Sequence, residues 1–583
     1  MQLTAIDWAV IALYFLLNLA IGFYYKSRAG RNVGEFFLSG RNVPWWLAGT
    51  SMVATTFAAD TPLAVTGLVA RDGIAGNWLW WNMVAGGMLT VFFYARLWRR
   101  AGVMTDVEFA EIRYSGRPAA FLRGFRALYL GLPINCIVLG WVNLAMTKIL
   151  AAVLGIGKTQ ALLIVLGIIA VTSFISTLSG LWGVLVTDLV QFVIKMGMVI
   201  VLAVFALGAV GGIEGMKAKL ALAGRSSALN FLPSPDSTLL PLLTFFVYIG
   251  MSWWASWYPG AEPGGGGYVA QRMFCARDER HSLLATLWFN IAHFALRPWP
   301  WILVGLVSLI LYPGLKDPEQ GYVQVMIHQL PPSLRGLMLA AFAAAYMSTV
   351  ATQLNWGASY LINDFYRRFW KKNASEKHYV RASQLATVLL TICSAIVTHY
   401  FTSIAFAWKL LLVIGAGTGL VLLLRWYWWR INAWSEVAAM VSAFVVSVTL
   451  VLHGLDIDKP LDFAWVMIVT VSVTTVVWLA VTLLTPPEKL DTLMAFYRRT
   501  RPSLAGWREV ARLTPEVTPS RDGWRNLLAW ICGAVLIYGW LFGIGKLLLN
   551  ETALGLSLVA LGVAAGAVIY WDLSRRGWTS VAE

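Results

Sequence analysis

The chain has 583 residues, 58% hydrophobic and only 13% charged, with a net charge of +16. Soluble domains hold about 25% charged residues, so this composition excludes an ordinary soluble domain and predicts a polytopic protein of the lipid bilayer. The excess of cations lies in loops between apolar runs, which excludes a nucleic-acid-binding surface.

The first apolar run, at about 6–25, has no basic residue before it and Lys26, Arg28 and Arg31 after it, the reverse of a cleavable signal peptide. It is expected to stay as a helix with its N-terminus outside. Fourteen further spans follow at about 44–70, 76–98, 126–154, 161–179, 183–211, 239–258, 282–311, 334–364, 381–402, 404–424, 435–453, 463–484, 527–549 and 553–572. Alternate loops carry the Lys and Arg residues, and one opposite loop is acidic (Asp456, Asp458, Asp462). The positive-inside rule then makes the basic loops and the C-terminus cytoplasmic, in the cell's inner (plasma) membrane. The division expected is 1–43 (first helix and loop), 44–430 (core), 431–485 (two more helices), 486–526 (a basic, proline-containing cytoplasmic linker) and 527–583 (a helical hairpin and tail).

Two spans carry breaks. The second holds Asp60 and Pro62 near its middle, and the seventh runs into Pro259, Pro263 and Gly264 to Gly267. Helix interiors tolerate neither residue well, and non-helical backbone at membrane depth persists only where it is buried in protein or lines a cavity. The glycines are otherwise a cytoplasmic loop; no Gly-Lys-Ser/Thr follows them to hold a nucleotide. Two interrupted spans, five apart, predict an inverted-repeat transporter with a midplane site, spans 2–6 and 7–11 being the repeats. In the eighth span, Arg297 among Pro298 and Pro300 predicts a kinked helix with a buried cation, for which Glu262 is a candidate partner.

The ninth span bears a polar stripe, Ser348, Thr352, Asn355 and Ser359, at steps of three and four, with Thr349 beside it and small residues such as Ala345 around it. Such hydroxyls either glue helices together in lipid or offer neutral oxygens to a monovalent cation. Asp188, Gln191 and Lys195 share one face of the sixth span, as an ion path or as a structural polar set. Cysteines 136, 275, 393 and 532 form neither CxxC nor zinc spacing, and six dispersed histidines make no catalytic cluster, so no enzyme is expected.

With these residues the chain resembles the solute:sodium symporter family of bacterial sodium/proline and sodium/sugar symporters, over about residues 5–485. The resemblance rests on Ala345, Ser348-Thr349, Leu354-Asn355, Ser359 and Asp364-Phe365-Tyr366 in the ninth span, and on Thr187-Asp188 with Gln191 in the sixth. Gly102 to Thr105 with Glu108 and Arg113, Gln271-Arg272, and the stretch from Phe36 to Trp46 match further loops; Trp356 and the Pro/Gly-rich seventh span depart from the pattern. The resemblance implies an all-α, LeuT-type five-plus-five inverted repeat with flanking helices, and sodium-driven import of a small organic solute, a sugar or an amino acid. It implies a sodium site of the backbone carbonyls of Ala54, Phe57 and Ala345 and the hydroxyls of Ser348 and Thr349, with Asp188 on the ion's exit path.

Candidate solute contacts are Asp60, Trp81, Asn82, Trp254, Tyr258 and Glu262, although most of thirty tryptophans are expected in core or interfacial belt. Asp60 either serves that site or caps the half-helix before Pro62. A sensor on the same scaffold would want a cytoplasmic output domain, and little chain follows Tyr570. A proton-coupled carrier would want a titratable group at the ion site, and none of the five implied ligands supplies one.

Overall fold

A computed structural model describes residues 3–29, 39–103, 106–176, 181–238, 240–518, 522–576 and 578. Phe36, Phe37, Leu38, Met104 and Thr105 of the family-like loop motifs lie outside the described residues. The described chain is helical throughout, and its extended pairing is confined to one parallel bridge between Val43 and Ala276.

In order, the helices that frame the site are α1 (Ala5–Ala29), α2 (Trp45–Thr56) and α3 (Asp60–Asp72), a segmented run over 74–101, and α4 (Gly116–Leu154). After α5 (Lys158–Ser176) and α6 (Leu181–Val210) come α7 (Leu242–Ala255), α8 (Gly267–Cys275), α9 (Glu279–Leu311) and α10 (Leu334–Trp370). The rest are α11 (Glu376–Tyr400), α12 (Ile404–Ile414), α13 (Thr418–Tyr427), α14 (Ala433–Leu452), α15 (Pro460–Leu484), α16 (Gly523–Leu548) and α17 (Thr552–Arg575). Among the described residues nine helices are long and apolar enough to cross a membrane, or eleven if each of two bent pairs is one span: α2 with α3, bent by 60°, and α12 with α13, bent by 51°.

Helices α2, α6, α9 and α10 form the centre: α6 packs against α2, α9 and α10, and α1 closes over α6 and α10. The final hairpin is not separate from this core. Helix α16 packs on α9 and on the 74–101 run, where Tyr538 donates to the Trp81 carbonyl at 2.8 Å and Trp299 to the Leu541 carbonyl at 2.8 Å.

The seventh span breaks as its prolines and glycines predict, α7 ending at Ala255 and α8 starting at Gly267. Its freed backbone is satisfied by the break in α12/α13, which sequence reasoning missed: Trp257 N–H donates to the Gly415 carbonyl at 3.3 Å and Gly417 N–H to the Ala255 carbonyl at 2.8 Å. Each interruption thus supplies the other's missing hydrogen bonds, the condition for unwound backbone inside a bilayer. Contact this close needs glycine. A Cβ on Gly419 would lie 2.1 Å from the Trp254 carbonyl oxygen. Gly419→Ala is therefore expected to undock the two breaks and abolish the monodisperse peak on size-exclusion chromatography, whereas Gly197→Ala, with nothing within 4 Å of the added carbon, elutes as wild type.

Candidate functional site

The break between α2 and α3 follows from local chemistry. Thr55 and Thr56 hydroxyls donate back to the carbonyls of Ser51 (2.8 Å) and Val53 (2.8 Å), competing with the helix's own donors. Pro62 brings no N–H to the Ala58 carbonyl four residues earlier, and the helix restarts at Asp60 with proline in its first turn, where the loss is tolerated. No side-chain hydrogen bond caps α3, so Asp60 is not its cap; Asp60 is buried and its Oδ1 has no hydrogen-bond partner in the protein.

The carbonyls implied as sodium ligands at this break, Ala54 and Phe57, both accept from the ammonium of Lys195 on α6, at 3.4 Å and 3.0 Å. The Nζ also lies 5.5 Å from the centre of the Phe57 ring. A titratable group therefore stands beside the implied ion site, and it comes from a neighbouring helix rather than from the five implied ligands, none of which titrates. Lys195 is 4% exposed, and among the described residues no carboxylate forms an ion pair with it. A small cavity there is lined by Phe57, Ala58, Lys195, Met338, Phe342 and Ala345, so α10 does bring Ala345 to the junction. The Thr349 hydroxyl donates to the Ala345 carbonyl at 3.0 Å; Ser348 is half-buried. Two turns from Lys195 along α6, Asp188 is buried and accepts from the Ser51 hydroxyl at 2.6 Å, with Arg272 Nε 3.4 Å from the same hydroxyl.

Beside the break lies a second cavity of about 80 Å³. Of the solute candidates it takes Asp60 and Tyr258, together with Thr352 of the ninth-span stripe and Thr349 beside it; Asn355 of that stripe is exposed. Trp141 stacks on Tyr258 (centroids 6.1 Å apart, planes at 4°), and Trp408 meets Tyr258 edge-on. Besides Asp60, Gln353 Oε1 and Trp408 Nε1 on its walls are buried without a hydrogen-bond partner in the protein.

The other candidates point elsewhere, and each for a physical reason. Trp81 is fully buried against Trp78 and Phe542, while its neighbour Trp80 lines the cavity, because adjacent helical residues face about 100° apart. The Asn82 amide donates to its own helix at Trp78 (2.8 Å) and Leu79 (2.9 Å), and the Trp254 indole to Gly250 (2.8 Å). Glu262 does not pair with Arg297; it accepts from Gly260 N–H at 3.0 Å.

Arg297, for which the sequence reading gave no role beyond a buried cation, also lines this cavity. The paired prolines Pro298 and Pro300 are accommodated by a π-helical segment, Ile291–Leu296, so that Arg297 N–H reaches the Ala292 carbonyl five residues back. Its guanidinium donates to the Val53 carbonyl (3.4 Å), the Thr56 hydroxyl (3.1 Å) and the His293 carbonyl (3.2 Å), and lies 5.2 Å from the Trp301 ring centre.

Comparison with known proteins follows this geometry. The model of the "Sodium:solute symporter family" matches residues 36–443. Solute carrier family 5 member 4B of Mus musculus is 25% identical over 511 residues, covering 77% of this chain and 73% of its own. The sodium/mannose cotransporter of Bos taurus is 25% identical, covering 67% and 68%. Sodium/glucose cotransporter 4 of Danio rerio is 24% identical, covering 91% and 89%. Among solved structures, a Na+-coupled sialic acid symporter in a substrate-bound outward-open state superposes with a TM-score of 0.63 at 21% identity, over 83% of this chain and 99% of that one, a likeness of fold.

Proposed function

The chain belongs to the sodium:solute symporter family, and from that premise we propose that it is a secondary carrier importing a small organic solute, a sugar or an amino acid, by alternating access in an inner (plasma) membrane. The observation that carries this reading is one cavity, at a helix break, on whose walls Asp60 Oδ1, Gln353 Oε1 and Trp408 Nε1 are buried without protein partners. Two acceptors and a donor beside aromatic faces suit a solute with hydroxyl or amino groups on one side and an apolar face on the other. The sugar and polyol cotransporters among the relatives, such as the sodium/myo-inositol cotransporter 2 of Homo sapiens, support a hydroxyl-rich solute.

Fifteen crossings, with the N-terminus outside and the C-terminus cytoplasmic, accord with the charge of the loops. On this reading spans 2–6 and 7–11 are two inverted five-helix repeats, and the interruptions of α2/α3 and α7/α8, in the first span of each, support it. Family membership favours sodium as the driving ion; the ligands it implies are Ala54, Phe57, Ala345, Ser348 and Thr349, with release past Asp188, of which the Ala54 and Phe57 carbonyls already hold the Lys195 ammonium. One cation crossing 100 mV supplies about 2.3 kcal/mol, roughly a 50-fold solute gradient.

The test is a thermal-shift screen of purified protein with sugars, amino acids and carboxylates, followed by uptake of the stabilising solute into proteoliposomes. Binding at 100 times Kd stabilises by about 2.7 kcal/mol. Asp60→Asn, which replaces one charged acceptor by a neutral amide, is expected to weaken the solute about 10- to 100-fold by titration. Wild-type affinity in that variant, or a solute that binds but never accumulates, defeats the reading.

A further inference from the structure

We infer that the ammonium of Lys195 takes the seat at the helix junction that a sodium ion would occupy, so that the implied ligands do not hold sodium while Lys195 is in place. The inference deepens the carrier reading and depends on it for its transport consequence alone.

The geometry is that of a bound monovalent cation. Lys195 Nζ has neutral ligands only, the Ala54 and Phe57 carbonyls and the Phe57 ring. Both carbonyls belong to the residues where α2 ends, where the Ala54 carbonyl also accepts from Phe57 N–H at 3.2 Å. A free cation seeking the same two oxygens would meet a fixed charge at contact distance in a buried, low-dielectric place, and the two occupants exclude each other. The third wall is apolar: α10 presents Met338, Ala341, Phe342 and Ala345. The charged or titratable groups around the ammonium are Asp188 on its own helix, Arg297 with His293 on α9, and Arg272 of α8, which reaches Ser51 beside Asp188. Helix α1 adds Tyr14, packed near Ile194, and the helix Gly321–Gln329 adds Tyr322 behind Phe342.

Among the described residues no carboxylate lies within ion-pair distance of Lys195; Asp188 acts on it through space, and its ammonium is held by the two junction carbonyls. If α2 and α3 shift apart, those ligands go and the ammonium must be rehydrated, so the seated charge favours the closed junction.

Full-length protein in lipid nanodiscs is probed with radiolabelled sodium. Wild type is expected to show no saturable binding, and Lys195→Ala, which frees both carbonyls, to gain a saturable component displaced by unlabelled sodium and not by choline. In proteoliposomes with the solute found by thermal shift, replacing sodium by choline leaves wild-type uptake unchanged. Saturable sodium binding or sodium-stimulated uptake by the wild type overturns the inference, as does a monodisperse Lys195→Ala protein that binds no sodium. If that variant does not fold, the wild-type measurements decide alone. Absence of accumulation under every gradient defeats the carrier reading instead, while the sodium-binding result still judges the lysine.

Discussion

Arg297→Met is expected to lower solute uptake by a factor of 100 or more without lowering the melting temperature of the purified protein. The guanidinium ties the end of α2, through the Val53 carbonyl and the Thr56 hydroxyl, to the π-helical segment of α9. Hydrogen bonds from a charged donor contribute about 1.5–3 kcal/mol each, so losing both frees the junction by about 3–6 kcal/mol, or roughly two to four decades in the population of its ordered form. Stability behaves differently. Among the described residues no carboxylate pairs with this buried cation. Its desolvation is thus offset mainly by neutral hydrogen-bond acceptors and the Trp301 and Phe57 rings, with Asp60 acting on it through space, and an apolar side chain of similar length removes that cost. Arg297→Lys is expected to fail as well, because a single ammonium cannot span α2 and His293 at once. Transport at the wild-type rate in Arg297→Met, or a collapse of folding with it, would show that the residue holds the helices together and does not set the junction.

The breaks were legible in the sequence because proline, glycine and back-bonding threonines act through their own backbone: Pro62 and the run from Pro259 to Gly267 mark interruptions wherever the helix packs. Family membership was legible for a similar reason, since the spacing of Ser348-Thr349, Asn355 and Ser359 survives without knowledge of what faces them. What the sequence left open was register and reach. Choosing Trp81 over Trp80 is an error of one residue, yet it turns the side chain from the cavity into the packing of α16. Asn82 looked like a free amide until its own helix carbonyls claimed it. Lys195 was recognised as part of a polar face with Asp188 and Gln191, but its stem spans to a helix some 140 residues earlier, and no local pattern encodes that contact. The break at Gly415 to Gly417 was missed because a lone glycine pair inside an apolar run is tolerated in many membrane helices; only docking on Trp257 reveals its use.

Glu319→Ala is expected to destabilise the protein by about 4–6 kcal/mol, the sum of a broken buried ion pair and a lost helix cap, and to weaken solute binding at the same time. The Glu319 carboxylate is 2% exposed, holds Lys148 of α4 at 2.5 Å, and accepts the first N–H groups of α12, Ile404 at 2.8 Å and Ala405 at 3.1 Å. Negative charge at a helix N-terminus is favourable there, and its removal leaves Lys148 with only Asp317, a partner one-third exposed to solvent. The functional consequence runs along α12, which carries Trp408 to the solute cavity and ends at the Gly415 break that docks on α7. Loosening its anchored end should therefore raise the solute's Kd, while sodium exclusion by Lys195, on the other side of α2, stays as in the wild type. Glu319→Gln keeps an oxygen for the cap and loses the countercharge, so it should fall between the two in a melting experiment in detergent. Equal melting temperatures for all three proteins would mean that Asp317 alone neutralises Lys148 and that Ser403, which caps Phe406 N–H at 3.0 Å, suffices to start α12.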